Sequence, residues 1–136
     1  MTFLVDTNVI SEVRKTRGHP AVKAWMLSVP PSDLYVSVLA LGEIRQGIER
    51  LRANDPEQAS SLDQWLDGLS RIYGERILPV SAVIADRWGR LSLSSPLPPI
   101  DGLMAATALE YRLTVVTRNT RDFVRCGVSV VNPFPV

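Results

Sequence analysis

The sequence predicts an α/β protein, a three-layer α/β/α sandwich with a mainly parallel central sheet. Short apolar runs such as "TFLV" at residues 2–5 and "LTVVT" at residues 113–117 alternate along the chain with segments of helical period. Continuous apolar runs are typical of strands that are buried on both faces, and strands that alternate with helices form parallel sheets. The length of 136 residues suits one domain, and we expect that domain to span residues 1–136.

The first half of the chain is predicted to form two strands and four helices. Asp6 follows the first apolar run and precedes a helix directly. Pro20 and Pro56 stand where the second and fourth helices begin, a position at which proline costs no hydrogen bond. Apolar residues recur at helical spacing in the third helix. The predicted elements are a strand at 2–5, helices at 7–15 and 20–28, a strand at 33–38, and helices at 39–53 and 56–74.

The second half is predicted to continue the alternation. Ser81 is a plausible N-cap, and the segment "DGLMAATALEYR" is a helix of small residues suited to close packing against a sheet. The predicted elements are a strand at 76–80, a helix at 81–94, a proline-rich turn at 95–99, a helix at 101–112, a strand at 113–117, a turn or helical start at 118–123 and a strand at 128–133.

Composition narrows the class of protein. The net charge is only +1, so nucleic acid would have to bind at a local site and not through a general basic field. The single cysteine, Cys126, excludes an internal disulfide framework and a multi-cysteine zinc site within one chain. No stretch of about 18 apolar residues and no basic leader is present, so we expect no membrane span, no signal peptide and a cytoplasmic location.

Four acidic residues lie near the ends of predicted strands or the starts of predicted helices, which are not typical positions for solvated surface charges. Asp6 ends the first strand, Glu43 lies near the start of the helix after the second strand, Asp101 begins the small-residue helix, and Asp122 follows the fourth strand. The carboxyl ends of parallel strands share one edge of the sheet, so these four acids can converge in one crevice.

Convergent carboxylates repel one another, and a divalent cation removes that conflict. Oxygen ligands without nearby histidine or cysteine suit Mg²⁺ or Mn²⁺ and argue against zinc. Such a site is suited to phosphodiester hydrolysis by an activated water, and the single histidine, His19, excludes a two-histidine mechanism within one chain. The side chains that could hold carboxylates or position water are Thr7, Asn8, Ser37, Thr117 and Asn119, and those that could contact RNA phosphates are Arg118 and Arg121.

Each of the four acids also has a purely structural interpretation. Asp6 and Asp101 can cap or begin helices, Glu43 can be a solvated helix residue, and Asp122 can be a cap or surface group. Arginines on a turn, such as Arg118, are commonly just solvated. The metal site is preferred because the four acids occur together at the ends of successive elements.

Four segments carry a resemblance to a known family. They are "LVDTNVISE", "SVLALGEIRQGIERL", "PPIDGLMAATALEYRLTVVTRNTRDF" and "VSVVNPF". Together they resemble a PIN-domain ribonuclease, and more narrowly the VapC or FitB-like toxins of prokaryotic toxin–antitoxin pairs. The resemblance runs from Phe3 to about Phe134, and its most specific part is the segment from Pro98 to Phe123.

The resemblance implies an endoribonuclease that depends on Mg²⁺ or Mn²⁺. Asp6, Glu43 and Asp101 match three acids of the family. Many relatives read Thr-Arg-Asp where this chain reads Thr117-Arg118-Asn119, so Asp122 is the nearby candidate for the fourth position. Such proteins usually form homodimers and are silenced by a VapB-like antitoxin that supplies DNA binding, in higher assemblies.

Three other functions compete with this one. A catalytically inactive PIN-fold module that acts with a DNA-binding partner remains the alternative, although the intact acids count against it. A phosphate-signalling receiver domain would need an aspartate after its central strand and a lysine after a later one, where this chain has Ser37 and Arg118. A haloacid-dehalogenase-type phosphatase would need a second aspartate at position 8, which is Asn8.

Overall fold

The computed structural model describes residues 1–94 and 96–135. Five parallel strands form one sheet in the order β3-β2-β1-β4-β5. The strands are β1 (Phe3–Val5), β2 (Leu34–Ser37), β3 (Ile77–Leu78), β4 (Thr114–Val116) and β5 (Val130–Val131). The α/β class and the parallel sheet predicted from the sequence are confirmed.

In the described part of the chain, seven α-helices connect and cover the strands. They are α1 (Thr7–Arg14), α2 (Pro20–Leu27), α3 (Val38–Arg52), α4 (Pro56–Tyr73), α5 (Ala82–Ser94), α6 (Pro99–Tyr111) and α7 (Thr120–Arg125), with short 3-10 turns at Pro31–Asp33 and Gly74–Arg76. Among the described residues no helix is both long enough and apolar enough to cross a lipid bilayer.

The connections place the helices in two layers. From β1 the chain passes to β2 and then to β3, towards one edge of the sheet. It then returns to β4, on the other side of β1, and passes to β5 at the opposite edge. Parallel crossovers are right-handed, so α1–α4 cover one face, and the return crossover puts α5–α7 on the opposite face. The contacts of α1 with α2 and α3, of α3 with α4, and of α5 with α6 agree with these layers.

The sheet core is apolar on both faces. Leu4, Val5, Val36, Val115 and Val116 are almost fully buried. Val5 lies in register with Val116, and Leu4 with Val115, so the two central strands end at the same edge. That common edge is where the residues after β1 and β4 meet.

An ionic cluster joins α3 to α4 at the surface. Asp63 of α4 accepts hydrogen bonds from Arg45 at 2.6 Å and from Arg52 at 2.8 and 3.0 Å, and Glu49 pairs with both arginines. These arginines lower the pKa of Asp63 to about 2. All four side chains are partly exposed, and ion pairs in contact with solvent contribute little to stability, so the main effect of the cluster is to orient the two helices.

The structure differs from the sequence prediction at a few boundaries. Helix α6 begins at Pro99 and not at Asp101, because Pro99 occupies the first helical turn and the Gly102 N–H bonds to the Pro98 carbonyl oxygen at 2.9 Å. Strands β3 and β5 are shorter than predicted. Ser95, the first residue of the predicted proline-rich turn, lies outside the described residues.

Candidate active site

Asp6 lies at the centre of the sheet edge, immediately after β1. Its backbone N–H bonds to the Val116 carbonyl oxygen at 2.9 Å, which ties the residue to β4. Its carboxylate caps α1, because Oδ1 accepts from the Thr7 N–H at 2.8 Å. The other oxygen, Oδ2, accepts from Thr117 Oγ1 at 2.8 Å and from Asn8 Nδ2 at 3.2 Å. In the buried Asp6 carboxylate, Oδ1 therefore caps α1, while Oδ2 contacts Thr117 and Asn8. The capping interpretation of Asp6 and its interpretation as a site residue are compatible.

Glu43 reaches this edge from the second turn of α3. Thr7 Oγ1 donates to Glu43 Oε1 at 2.6 Å, so one threonine connects the first residue of α1 with an acid of α3. The Glu43 side chain is half-buried, and none of the described residues donates a hydrogen bond to its other oxygen. This contact agrees with the prediction that Thr7 holds a carboxylate.

Asp122 and Asn119 are connected to the same network through Thr117. The Thr117 hydroxyl accepts from the Asn119 N–H at 2.9 Å while it donates to Asp6. Asn119 Nδ2 in turn donates to Asp122 Oδ2 at 3.1 Å. A continuous path of hydrogen bonds therefore leads from Asp6 through Thr117 and Asn119 to Asp122. Asn119 occupies the N-cap position of α7, but its side chain makes no capping hydrogen bond with the described residues. Its side-chain amide instead orients the Asp122 carboxylate.

Asp101 completes the group and differs from the other three acids. It lies in the first turn of α6 and is half-buried, and within the described ranges no hydrogen bond reaches its carboxylate. Burial, together with the smaller effect of the charges of Asp6, Glu43 and Asp122, raises the pKa of Asp101 to about 6. Asp101 is thus close enough to the other three predicted acids to be influenced by their charges.

The pKa of Asp6 is also raised above its ordinary value. Burial is the main cause and the Glu43 charge adds to it, while the hydrogen bonds from Thr117, Thr7 and Asn8 act in the opposite direction. Two of the acids therefore hold protons more tightly than they would in water. A divalent cation bound among these carboxylates would favour their charged forms and lower these pKa values.

The donor set fits a hard divalent cation that keeps part of its water shell. It consists only of carboxylate oxygens, with threonine and asparagine groups behind them. In the described part of the chain, no three acidic, histidine or cysteine side chains stand close enough to chelate one ion. Mg²⁺ commonly contacts one or two carboxylates directly and keeps several waters, so these acids would hold such an ion partly through water.

The remaining predicted residues lie at or near the same edge in different roles. Ser37 Oγ accepts from the Leu39 N–H at 3.1 Å and caps α3, and the structure does not bring it to a carboxylate. Asn8 bridges two loops, because its Oδ1 also accepts from the Arg118 N–H at 3.3 Å. The Arg118 guanidinium lies 4.1 Å from the centroid of the Phe134 ring, and Arg121 is exposed on α7.

Sequence reasoning missed two features of this edge. The buried Phe134 ring supports Arg118, a pairing between distant segments that no local pattern signals. Trp88 of α5 packs against Gly102, the residue that follows Asp101, and a Cβ at position 102 would lie 2.9 Å from the indole ring. The glycine next to a predicted site acid was the available signal for this second contact.

Comparison with known proteins identifies the family of this chain. The PIN domain family matches residues 3–128. The chain belongs to the PIN-domain family. The toxin FitB of Neisseria gonorrhoeae is 31% identical over 97% of this chain and 98% of its own length. The VapC ribonuclease Y4jK of Sinorhizobium fredii is 32% identical over 97% of both chains. These relatives place the chain with the FitB- and VapC-like members of the PIN family.

Solved structures give the same result for the fold. A crystal structure of FitAcB from Neisseria gonorrhoeae matches with a TM-score of 0.91 and 31% identity, over 97% of this chain and 98% of the other. A toxin–antitoxin complex from Klebsiella pneumoniae matches with a TM-score of 0.71 and 25% identity, over 99% and 100% of the two chains. The layered architecture around the acidic edge is therefore the PIN fold.

Proposed function

We propose that this chain is the toxin of a toxin–antitoxin pair and acts as a divalent-metal-dependent endoribonuclease. The observation that carries the proposal is the group of four carboxylates at the carboxyl edge of the sheet, in which Asp101 lies in the field of Asp6, Glu43 and Asp122. The ribonuclease name of a relative that matches nearly the whole chain supports the reaction class.

The four carboxylates are the candidates for holding Mg²⁺ or Mn²⁺. A bound divalent ion lowers the pKa of a coordinated water and offsets the negative charge of a phosphate. Thr117 and Asn8 fix one oxygen of Asp6, Thr7 fixes Glu43, and Asn119 fixes Asp122. Asp101 has no such partner among the residues that the structure describes, so it could turn towards the cation, and its pKa of about 6 lets it exchange a proton near that pH.

RNA would enter this site with its backbone near the loop after β4. Arg118 and Arg121 are exposed there and carry the positive charge that phosphates require. Stacking on Phe134 restricts the Arg118 guanidinium and prepares it for such a contact. Single-stranded or looped RNA is the expected substrate class, since its bases and backbone are accessible.

The partners follow from the same family membership. We propose that a VapB-like antitoxin inhibits this chain and supplies DNA binding, because solved structures with the same fold are toxin–antitoxin complexes. A homodimer in the cytoplasm is the proposed working form. The tryptophan side chains of α4 and α5 are half-buried and offer little apolar surface to a partner. A dimer could instead cover apolar side chains that are exposed, among them Leu27, Ile72, Val83 and Leu93.

One experiment tests the reaction directly. The purified chain is incubated with total RNA and Mg²⁺ or Mn²⁺, and the fragment ends are mapped. Hydrolysis by water gives 5′-phosphate and 3′-hydroxyl ends, because no 2′-hydroxyl attack is needed. Asp6→Asn and Asp101→Asn should abolish cleavage, whereas Asp67→Asn on the exposed face of α4 should not. Fragments with 2′,3′-cyclic phosphate that persist in a chelator would contradict the proposal.

A further inference from the structure

A pocket opens beside the acidic group, between α1, α3 and α4. Its volume is about 170 Å³, and Thr7 and Glu43 form its wall nearest the carboxylates. Ser11 and Arg14 continue one face of α1 away from them, four and seven residues after Thr7. At 1.5 Å per helical residue the pocket reaches about 10 Å from the acidic edge, which is within the span of one nucleotide.

Gly47 keeps the α3 side of this pocket open. It lies one helical turn after Glu43, and a Cβ at position 47 would meet no atom within 4 Å. Glycine in a helix interior is less favourable than alanine, and packing does not require it here. The absent side chain therefore leaves space in the pocket instead of relieving a contact in the core.

Two flat groups close the far end of the pocket. The Arg14 guanidinium lies 5.7 Å from the centroid of the Trp65 ring, and both side chains are half-buried. They also line a second pocket of about 180 Å³ on the other side, so the pair separates the two spaces. Indole rings and guanidinium planes are the surfaces on which proteins stack unpaired RNA bases.

We infer that this pocket binds the base of the nucleotide next to the phosphate that is cut, in single-stranded RNA. The inference rests on the proposed ribonuclease function and extends it to substrate selection. A phosphate held at the carboxylates brings its adjoining nucleotide to the mouth formed by Thr7 and Glu43. The base then enters the space left by Gly47 and stacks against the Arg14–Trp65 pair, so this pocket contributes to the choice of cleavage site.

The test compares two variants with a matched control. Trp65→Leu keeps an apolar side chain but removes the stacking surface, and Gly47→Leu adds bulk to the pocket from a position whose Cβ meets no atom within 4 Å. Gly89→Leu is the control, because Gly89 in α5 also has nothing within 4 Å of its Cβ position. Each protein is assayed on a single-stranded oligoribonucleotide and on bis(p-nitrophenyl) phosphate, a phosphodiester without a base, and thermal unfolding checks the fold.

The pocket variants should lose about tenfold or more in kcat/KM on the oligoribonucleotide and change the base preferred at the cut. Hydrolysis of the small diester should stay at the wild-type level, as should both activities of Gly89→Leu. Wild-type RNA cleavage by both pocket variants would overturn the inference. An equal loss on both substrates would also overturn it. A wild-type chain that cleaves no RNA would instead contradict the proposed function.

Discussion

At the scale of single residues, Asp101 is the acid whose charge is least compensated. Asp6, Glu43 and Asp122 each accept a hydrogen bond from a threonine or asparagine, while Asp101 accepts none from the described residues. It also lies in the field of the other three carboxylates, which adds to the effect of burial on its pKa. The free chain therefore contains a local electrostatic conflict that depends on pH.

This conflict predicts how Asp101→Asn changes stability. The pKa of Asp101 rises from 3.8 to about 6 on folding, so the folded chain binds this proton more tightly than the unfolded chain. The resulting stability is complete below the unfolded pKa and is lost as pH rises through about 6. Asn has no such loss, so without metal the variant should be more stable than wild type near pH 7.5, by on the order of 1 kcal/mol after solvent screening.

Urea denaturation in a chelator measures this difference. The gap between variant and wild type should close as pH falls to about 4, where the wild-type carboxyl is protonated in the folded state. A gap of equal size at both pH values would show that the amide stabilises the chain by another route. The charge of Asp101 would then not be the cause of the difference in stability.

Asn119 and Asp122 give a second prediction at this scale. Asp122→Asn removes a charge from the cluster, whereas Asn119→Ala removes only the amide that orients Asp122. The metal concentration for half-maximal cleavage should therefore rise more in Asp122→Asn than in Asn119→Ala, and activity should fall most in Asp101→Asn. The measurement is cleavage rate against Mn²⁺ concentration for the three variants. An Asp122→Asn protein that titrates like wild type would reduce the site to three acids.

At the scale of elements, the contact between α5 and α6 determines where Asp101 stands. The indole ring of Trp88 lies so close to Gly102 that a Cβ there would be 2.9 Å from it, and Leu97 is also near. Gly102 is buried within a helix of small residues, so the ring and the helix backbone fit without a gap. A shift of either element moves the first turn of α6, which carries Asp101.

Gly102→Ala should therefore destabilise the chain although alanine favours helices. The expected cost is about 1–3 kcal/mol of unfolding free energy, because the indole ring must move in a packed layer. Gly89→Ala is the matched control in an open position and should stabilise by about 0.5–1 kcal/mol. Thermal unfolding and RNA cleavage are measured together, and both should fall in Gly102→Ala.

The double variant Trp88→Leu/Gly102→Ala decides the cause of that loss. A smaller side chain at position 88 makes room for the added methyl group, so the double variant should be less impaired than the two single changes predict by addition. Strict additivity would mean that the two residues do not meet as the structure places them. The site would then not depend on this contact.

The same elements show how far the sequence predicts the structure. The apolar runs predicted β1, β2 and β4 nearly to the residue, since burial on both faces leaves a continuous signal. The edge strands β3 and β5 were predicted too long, because a strand with one neighbour pairs over fewer residues and Pro79 and Pro133 have no N–H to donate. Apolar periodicity does not report how many ladder bonds form.

The site was predictable to a similar extent. The positions of Asp6 and Glu43 followed from strand ends, but the path of hydrogen bonds through Thr117 depends on β1 and β4 being neighbours. Residues 6 and 117 are distant in sequence, and the strand order that unites them is a property of the whole sheet. The same holds for the contact of Arg118 with Phe134.

At the scale of the whole molecule, the acidic edge coincides with the point where the chain changes direction. The connection after β1 leads to β2 on one side, and the connection after β4 leads to β5 on the other. Neighbouring strands whose connections leave on opposite faces open a crevice between them, and ligands of open α/β sheets bind there. Asp6 follows β1 and Thr117 follows β4, so both stand at this crevice.

The final prediction concerns the response of the whole fold to metal. A cation that binds only the folded chain stabilises it by mass action, by about 2.7 kcal/mol at a concentration one hundred times its Kd. Saturating Mg²⁺ or Mn²⁺ should therefore raise the Tm of the wild-type chain by about 5 °C or more. The rise should be larger near pH 8 than near pH 5, because protons compete for Asp101, whose pKa is about 6. Asp101→Asn should show a much smaller rise and Asp67→Asn a wild-type one. An equal rise in all three proteins would place the ion elsewhere on the surface, and no rise in the wild type would remove the metal from the proposed chemistry.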